Sequence, residues 1–217
     1  MKRRSVFVKP VSNVQDFTYL RGQIDPLATI IAVGGGKGGI GKSFVSSSLA
    51  IFLSHMGFET TLVDLDLGAA NLHTSLGVGL PTIGINEFID NKELSLDDVT
   101  TKTPYPRLNL IAGSTENYNV TNLNNEQKTR VMSAFYKLNT KFIILDLSAG
   151  THDSTIDFFL CANRRLVVMT PEPSSIENAY RFMKASFYRR LRRFEFQLHL
   201  EELIEGVMKH GSNIPSK

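Results

Sequence analysis

The stretch AVGGGKGGIGKS, Ala32 to Ser43, decides how this chain of 217 residues is read. Its last eight residues, Gly36-Lys37-Gly38-Gly39-Ile40-Gly41-Lys42-Ser43, satisfy G-x-x-x-x-G-K-[ST] position by position. The context agrees: the β-branched apolar run TIIAVGG (29–35) precedes it, and a helical stretch from Ser43 to His55 follows. Glycines let successive backbone N–H groups turn inward around phosphate oxygens, and the helix N-terminus adds a favourable field. In such a loop Lys42 reaches the β- and γ-phosphates of a nucleotide, and the Ser43 hydroxyl ligates Mg²⁺. Gly36, Lys37, Gly38, Gly39, Ile40, Gly41, Lys42, Ser43 and the adjoining Phe44 are therefore the candidate nucleotide-binding residues. A glycine-rich turn with an incidental lysine does not account for the flanking strand and helix. One lysine is explained at once; Lys37, five residues earlier, needs a second reason.

Outward from the loop, short apolar runs recur at TTLVDLDL (60–67), LNLIAG (108–113), KFIILDL (141–147) and RLVVMT (165–170). Such runs fit strands buried on both faces of a parallel sheet. Helical stretches lie between them, at about Asn86 to Ile89, at Asn125 to Leu138 and at Ser174 to Phe194. The alternation predicts an α/β fold of the P-loop NTPase kind, five parallel strands flanked by helices. Residues 1–28, with Pro10, Gly22 and Pro26, read as an N-terminal arm or short helix, and 29–217 as the domain. After Thr170 comes only a long helical region and the polar tail GSNIPSK, so the domain is expected to lack its last strands.

Composition adds exclusions. Net charge is only +3, which makes no general case for nucleic acid. The single cysteine, Cys161, rules out an internal disulfide framework or a CxxC metal pair, and fits a reducing cytoplasm. The basic start MKRRSVFVKPVSN lacks the uninterrupted apolar run of a signal peptide, and no run approaches bilayer-spanning length. The five histidines show no metal-ligand spacing.

Carboxylates are expected at the carboxyl ends of the strands, where open α/β sheets bind ligands. Asp146 closes FIILD, and Asp64 and Asp66 close LVDLD on one face of their strand. The metal ligands expected from this pattern are Ser43 and Asp146. Each aspartate has a plainer reading as a helix cap or turn residue.

KGGxGKS resembles the deviant phosphate loop of the MinD/ParA family of ATPases, and LVDLDLGAANLHTSLG resembles that family's second signature. The resemblance covers about residues 29 to 190 and implies ATP and Mg²⁺ as cofactors and an ATP-dependent homodimer. It also implies roles: Lys37 reaches the neighbour's phosphates, Lys42 serves its own nucleotide, and Asp66 orients the attacking water. The resemblance of the LVDLD segment implies Asp64 as a third metal ligand. Lys37, Lys42 and Asp66 are thus the candidate catalytic residues. TPEP (170–173) matches the family too, and Pro171 is expected at the nucleotide pocket. In LSAG, Ser148 stands where glycine or proline is commoner, which implies a differently shaped switch loop.

Within the family, IGINEFI and TPEPSSIENAYRFMKASF look most like the flagellar-number regulators FlhG, FleN and YlxH. That likeness implies control of flagellar number or placement. The implied partners are an FlhF-type GTPase, a flagellar regulator or basal-body protein, and an anionic membrane surface at its cytoplasmic face. Gln15-Asp16-Phe17-Thr18-Tyr19-Leu20-Arg21 stands where such regulators carry D-Q-A-x-x-L-R, with the first two residues exchanged and Phe17 for alanine. The rival readings are a ParA-type ATPase partitioning DNA or protein cargo and a nucleotide-binding scaffold with little hydrolysis. Nonspecific DNA binding would draw on Arg181, Lys184, Arg189, Arg190, Arg192 and Arg193. Ala179, Phe182, Met183, Phe187, Leu191 and Phe194 recur near helical spacing on the same segment. They predict a core-facing stripe with a solvated basic back.

Overall fold

The computed structural model describes residues 28–66, 71–113 and 123–198. The N-terminal arm, the Gln15–Arg21 segment, Leu67–Ala70 of the second signature and the polar tail lie outside the described residues.

Strands β1 (Thr29–Gly34), β2 (Thr60–Leu65), β3 (Thr100–Lys102), β4 (Leu108–Ile111), β5 (Phe142–Leu147) and β6 (Arg164–Val167) form one sheet in the order β3-β4-β2-β5-β1-β6. All pairings are parallel except β3 with β4. The helices are α1 (Lys42–His55), α2 (Leu72–Ser75), α3 (Ile85–Asp90), α4 (Asn125–Phe135), α5 (Asp153–Cys161) and α6 (Pro173–Leu198).

The strands alternate their side chains between two cores, as the period of two requires. Ile30, Ala32, Val63, Leu65, Ile111, Ile143, Leu145 and Leu147 pack with members of α3, α4, α5 and α6. Val33, Leu62, Leu108, Leu110 and Ile144 face the other way, onto α1 and α2. Near-continuous apolar runs are thus the signature of strands covered on both faces. β5 lies between β1 and β2, so these three central parallel strands bring their carboxyl ends together on one side.

Three elements depart from expectation: β3, the one-turn α2 and α5. Among the described residues six strands are present rather than five, because the antiparallel edge strand Thr-Thr-Lys of β3 is too short and polar to register as a run. α5 gives no periodic signal because seven of its nine residues are buried, among them Ser154, Thr155 and Asp157, which leaves no polar face. The stripe on α6 is also redistributed. Ala179 and Phe182 are buried, whereas Met183 and Phe187 are exposed. Part of the basic back turns inward instead: Arg189 and Arg193 both pair with buried Asp157 on α5, which also receives Lys128 of α4 at 2.6 Å. Burial alone would raise the Asp157 carboxyl, but hydrogen bonds from Arg189 and Lys128 and the charge of Arg193 outweigh it and hold it below the usual range. Among the described residues, no helix is long and apolar enough to cross a membrane.

Candidate functional site

The loop after β1 takes its shape from two glycines, one required by close packing and one favoured by its backbone conformation. A Cβ on Gly36 would stand 2.1 Å from the Asn178 carbonyl oxygen of α6, so only glycine lets the loop lie against that helix. Gly41 caps α1 with φ 92°, the left-handed region, and so turns the loop into the helix. α1 has no side-chain cap at this end, which leaves its first N–H groups without intrahelical partners and aimed at the loop.

Lys42 and Ser43 open α1. Lys42 is buried, and its Nζ donates to the Lys37 carbonyl at 3.4 Å, across the inside of the loop. One turn further on, Ser46 donates from Oγ to Asp146 Oδ1 at 2.8 Å, and the Ser43 hydroxyl acts on the same carboxylate, favouring its charged form. Asp146 sits on β5 directly opposite Asp64 on β2. Asp64 accepts from the backbone N–H of Asp66 at 3.1 Å and of Leu72 at 3.3 Å. Asp66 follows β2 directly and is half-buried.

The electrostatics of this cluster are strained toward neutrality. Burial, and then the charge of Asp146, push the Asp64 carboxyl up to about 7. Burial raises Asp146 too, against hydrogen bonds from Ser43 and Ser46 and the Lys42 charge, with Asp66 adding to the rise. A divalent cation would relieve this repulsion. The donors suit Mg²⁺: a serine hydroxyl and two carboxylates, all hard oxygens. Among the described residues no group of three or more His, Cys, Asp or Glu forms a metal cage. A magnesium ion here would therefore complete its shell with phosphate oxygens and water, as it commonly does.

The loop after Asp146 is tied at two points. Ser148 Oγ and Thr155 Oγ1 lie 2.7 Å apart, which fastens the loop to α5. Gly150 donates its N–H to the Gly35 carbonyl at 3.3 Å, which fastens it to the phosphate loop. Lys37 does not project freely. Its Nζ donates to Glu172 Oε2 at 3.0 Å and to Ser174 Oγ at 3.1 Å, beside the exposed Pro171. Phe44 is 75% exposed and lies off this cluster.

The structure thus gathers Lys42, Ser43, Asp64 and Asp146, places Asp66 within electrostatic reach of both buried acids, and turns Lys37 aside to α6. Ser46, Glu172 and Ser174 are additions to the expected site residues, although Glu172 lies within TPEP and Ser174 directly follows it. Ser46 has a local signal, since it falls one helical turn after Ser43 on the same face. The contact of Glu172 and Ser174 with Lys37 has none, because only the fold brings 37 and 172 together.

Sheet order, loop and converging acids define a nucleotide-binding P-loop α/β domain. The family model described as "ParA: NUBPL iron-transfer P-loop NTPase" matches residues 27–101. The antiactivator FleN of Pseudomonas aeruginosa is 33% identical over 157 residues, covering 71% of this chain and 55% of FleN. The septum site-determining protein MinD of Helicobacter pylori is 30% identical, covering 71% of this chain and 58% of that protein. The chain therefore spans little more than half of these relatives. MinD of Pyrococcus horikoshii OT3, solved with Mg-ADP, superposes with TM-score 0.65 at 26% identity, covering 76% of this chain and 66% of that one. The chain belongs to the ParA/MinD family of P-loop NTPases.

Proposed function

We propose that this protein is an ATP-binding and hydrolysing dimerisation switch that controls flagellar number or placement. The observation that carries the nucleotide part is the meeting of Lys42, Ser43, Asp64 and Asp146 beneath a two-lysine loop. The flagellar part is supported by the likeness to FleN.

Each residue has a task. The loop backbone and Lys42 hold the β- and γ-phosphates and take up charge that develops there. Ser43, Asp146 and Asp64 would hold Mg²⁺, which would supply positive charge to the phosphate oxygens. Ser46 orients Asp146 by its hydrogen bond. Asp66 accepts a hydrogen bond from the attacking water and aims it. Lys37 of one protomer reaches the phosphates of the other, so the site is complete only in a dimer of two ATP-loaded chains. Hydrolysis dissolves that dimer and ends the signal. The partner is an FlhF-type GTPase, a flagellar regulator or a basal-body protein, met in the cytoplasm or at the inner face of the cell membrane.

The partition reading is the weaker one, because two of its six expected DNA-facing cations, Arg189 and Arg193, are committed to Asp157. The test is sedimentation of Lys37→Ala with Mg²⁺ and a hydrolysis-resistant ATP analogue. Retained nucleotide binding with loss of the dimer is expected. A dimer fraction equal to that of the wild type would remove Lys37 from the neighbour's site.

A further inference from the structure

Lys37 has a partner within its own chain, and the way that partner is built gives it a second role. Glu172 enters α6: its carbonyl accepts the N–H groups of Ser175 at 2.9 Å and Ile176 at 3.0 Å, and Pro173 begins the helix. A carboxylate at a helix N-terminus is favoured by the field there, and proline at the first position fixes the chain direction. Ser174 lies in the same turn, where its carbonyl accepts from Asn178 Nδ2 at 2.7 Å. The Asn178 carbonyl is the surface on which Gly36 rests. The first turns of α6 therefore form a fixed cradle, packed against the residue just before Lys37. The ammonium is the movable part, on a flexible four-carbon stem.

We propose that Glu172 and Ser174 hold Lys37 in cis, so that ATP-driven dimerisation must break this contact in both protomers, and that Glu172 thereby sets the threshold for dimerisation. The proposal rests on the in-trans reading of Lys37. Exposure is consistent with release: the Lys37 and Glu172 side chains are 38% and 62% exposed, whereas Lys42, which serves its own loop, is 7% exposed. Accessible ion pairs of this kind shift an equilibrium by at most about fivefold. Two of them open per dimer and their effects multiply. The latch is thus large enough to shift the dimerisation threshold and small enough for paired phosphates to overcome.

Glu172→Gln removes the charge and keeps the shape, and Ser174→Ala removes the second acceptor without touching charge. Dimer dissociation constants are measured by sedimentation in Mg²⁺ and a hydrolysis-resistant ATP analogue. The affinity of dilute, monomeric protein for the same analogue is measured in parallel. Glu172→Gln should tighten the dimer severalfold, up to about 25-fold, with monomer affinity unchanged. Ser174→Ala should shift it the same way by a smaller factor. An unchanged or weakened dimer in Glu172→Gln overturns the latch. Equal tightening of nucleotide binding by the monomer overturns it as well, because Glu172 would then act on the phosphates directly. If Lys37→Ala keeps its ATP dimers, the in-trans reading fails and takes the latch with it. If Lys37→Ala loses them and Glu172→Gln changes nothing, the latch alone fails.

Discussion

Asp64 and Asp146 are costly residues to place side by side in a core, and their cost is measurable. Asp64 has its carboxyl at about 7 against an ordinary 3.8, because burial and the neighbouring carboxylate oppose its ionisation. Between those values the folded chain holds a proton that the unfolded chain has released, so stability is full below the lower value and is lost as pH rises through the upper one. Asp146 is raised as well and acts with the same sign. Asp157 is depressed, so its contribution is lost only as pH falls below the ordinary carboxylate range, outside this window. Urea denaturation of nucleotide-free protein from pH 5 to pH 7.5 should therefore show stability falling by a few kcal/mol. The slope from Asp64 alone is at most about 1.4 kcal/mol for each pH unit crossed below 7. Asp64→Asn should flatten the slope, and an equal slope in that variant would move the effect to another group. Asp66 makes a separate prediction. Asp66→Ala keeps the loop and its lysines, so it should bind Mg·ATP and still dimerise. Its phosphate release should fall by roughly 10²-fold or more if the carboxylate orients water. Turnover equal to wild type would take Asp66 out of the reaction.

At the scale of elements, α4, α5 and α6 are joined by a single buried carboxylate. Asp157 receives Lys128, Arg189 and Arg193 while only 2% exposed, and Lys128 is itself 4% exposed. Asp157→Ala would leave Lys128 with no countercharge in the core, which typically costs about 3–5 kcal/mol. For a domain of this size that is a fall in melting temperature of roughly 6–20 °C, read by calorimetry. A change under about 2 °C would mean that the cluster is solvated and dispensable. None of this network is legible in the sequence, where Asp157 is one acid inside DFFLCANRR and the arginines look like a solvated back. The elements that are legible have a local signature. β1, β2, β4 and β5 announce themselves as apolar runs because both faces are covered. α4 carries a reciprocal cap, Asn124 with Gln127, whose two hydrogen bonds are 2.9 and 3.0 Å. The phosphate loop and its acids are legible for the same reason, since a motif fixes their spacing and strand ends fix their place. β3, the buried α5 and the Lys37–Glu172 contact are not, because edge pairing, full burial and approach of residues 135 apart leave no local pattern.

The whole molecule decides between partners by where its charge points. A net +3 spread over the chain gives little general attraction to phosphate, and the densest basic segment, on α6, is partly consumed inside. Arg181 on the outer face is also matched, by Glu177 one turn earlier. What α6 presents outward instead includes Ile176, Tyr180, Met183 and Phe187, each about half exposed. A surface of this kind is poorly suited to tracking a duplex, since each phosphate neutralised requires a cation held toward it. ATP-loaded protein should therefore bind random duplex DNA only weakly, with a shallow dependence of affinity on salt. A steep salt slope, equivalent to several phosphate contacts, would restore the partition reading and make Lys184 and Arg192 the residues to mutate. The complementary experiment is capture from the source cell with full-length Asp66→Ala protein in ATP, against an ADP-loaded control. Flagellar basal-body proteins, a flagellar regulator or an FlhF-type GTPase should be enriched only with ATP, because in the proposed function the dimer is the form that carries the signal. Equal recovery in ADP would show that the contact does not read the nucleotide, and the protein would then act as a scaffold rather than a switch.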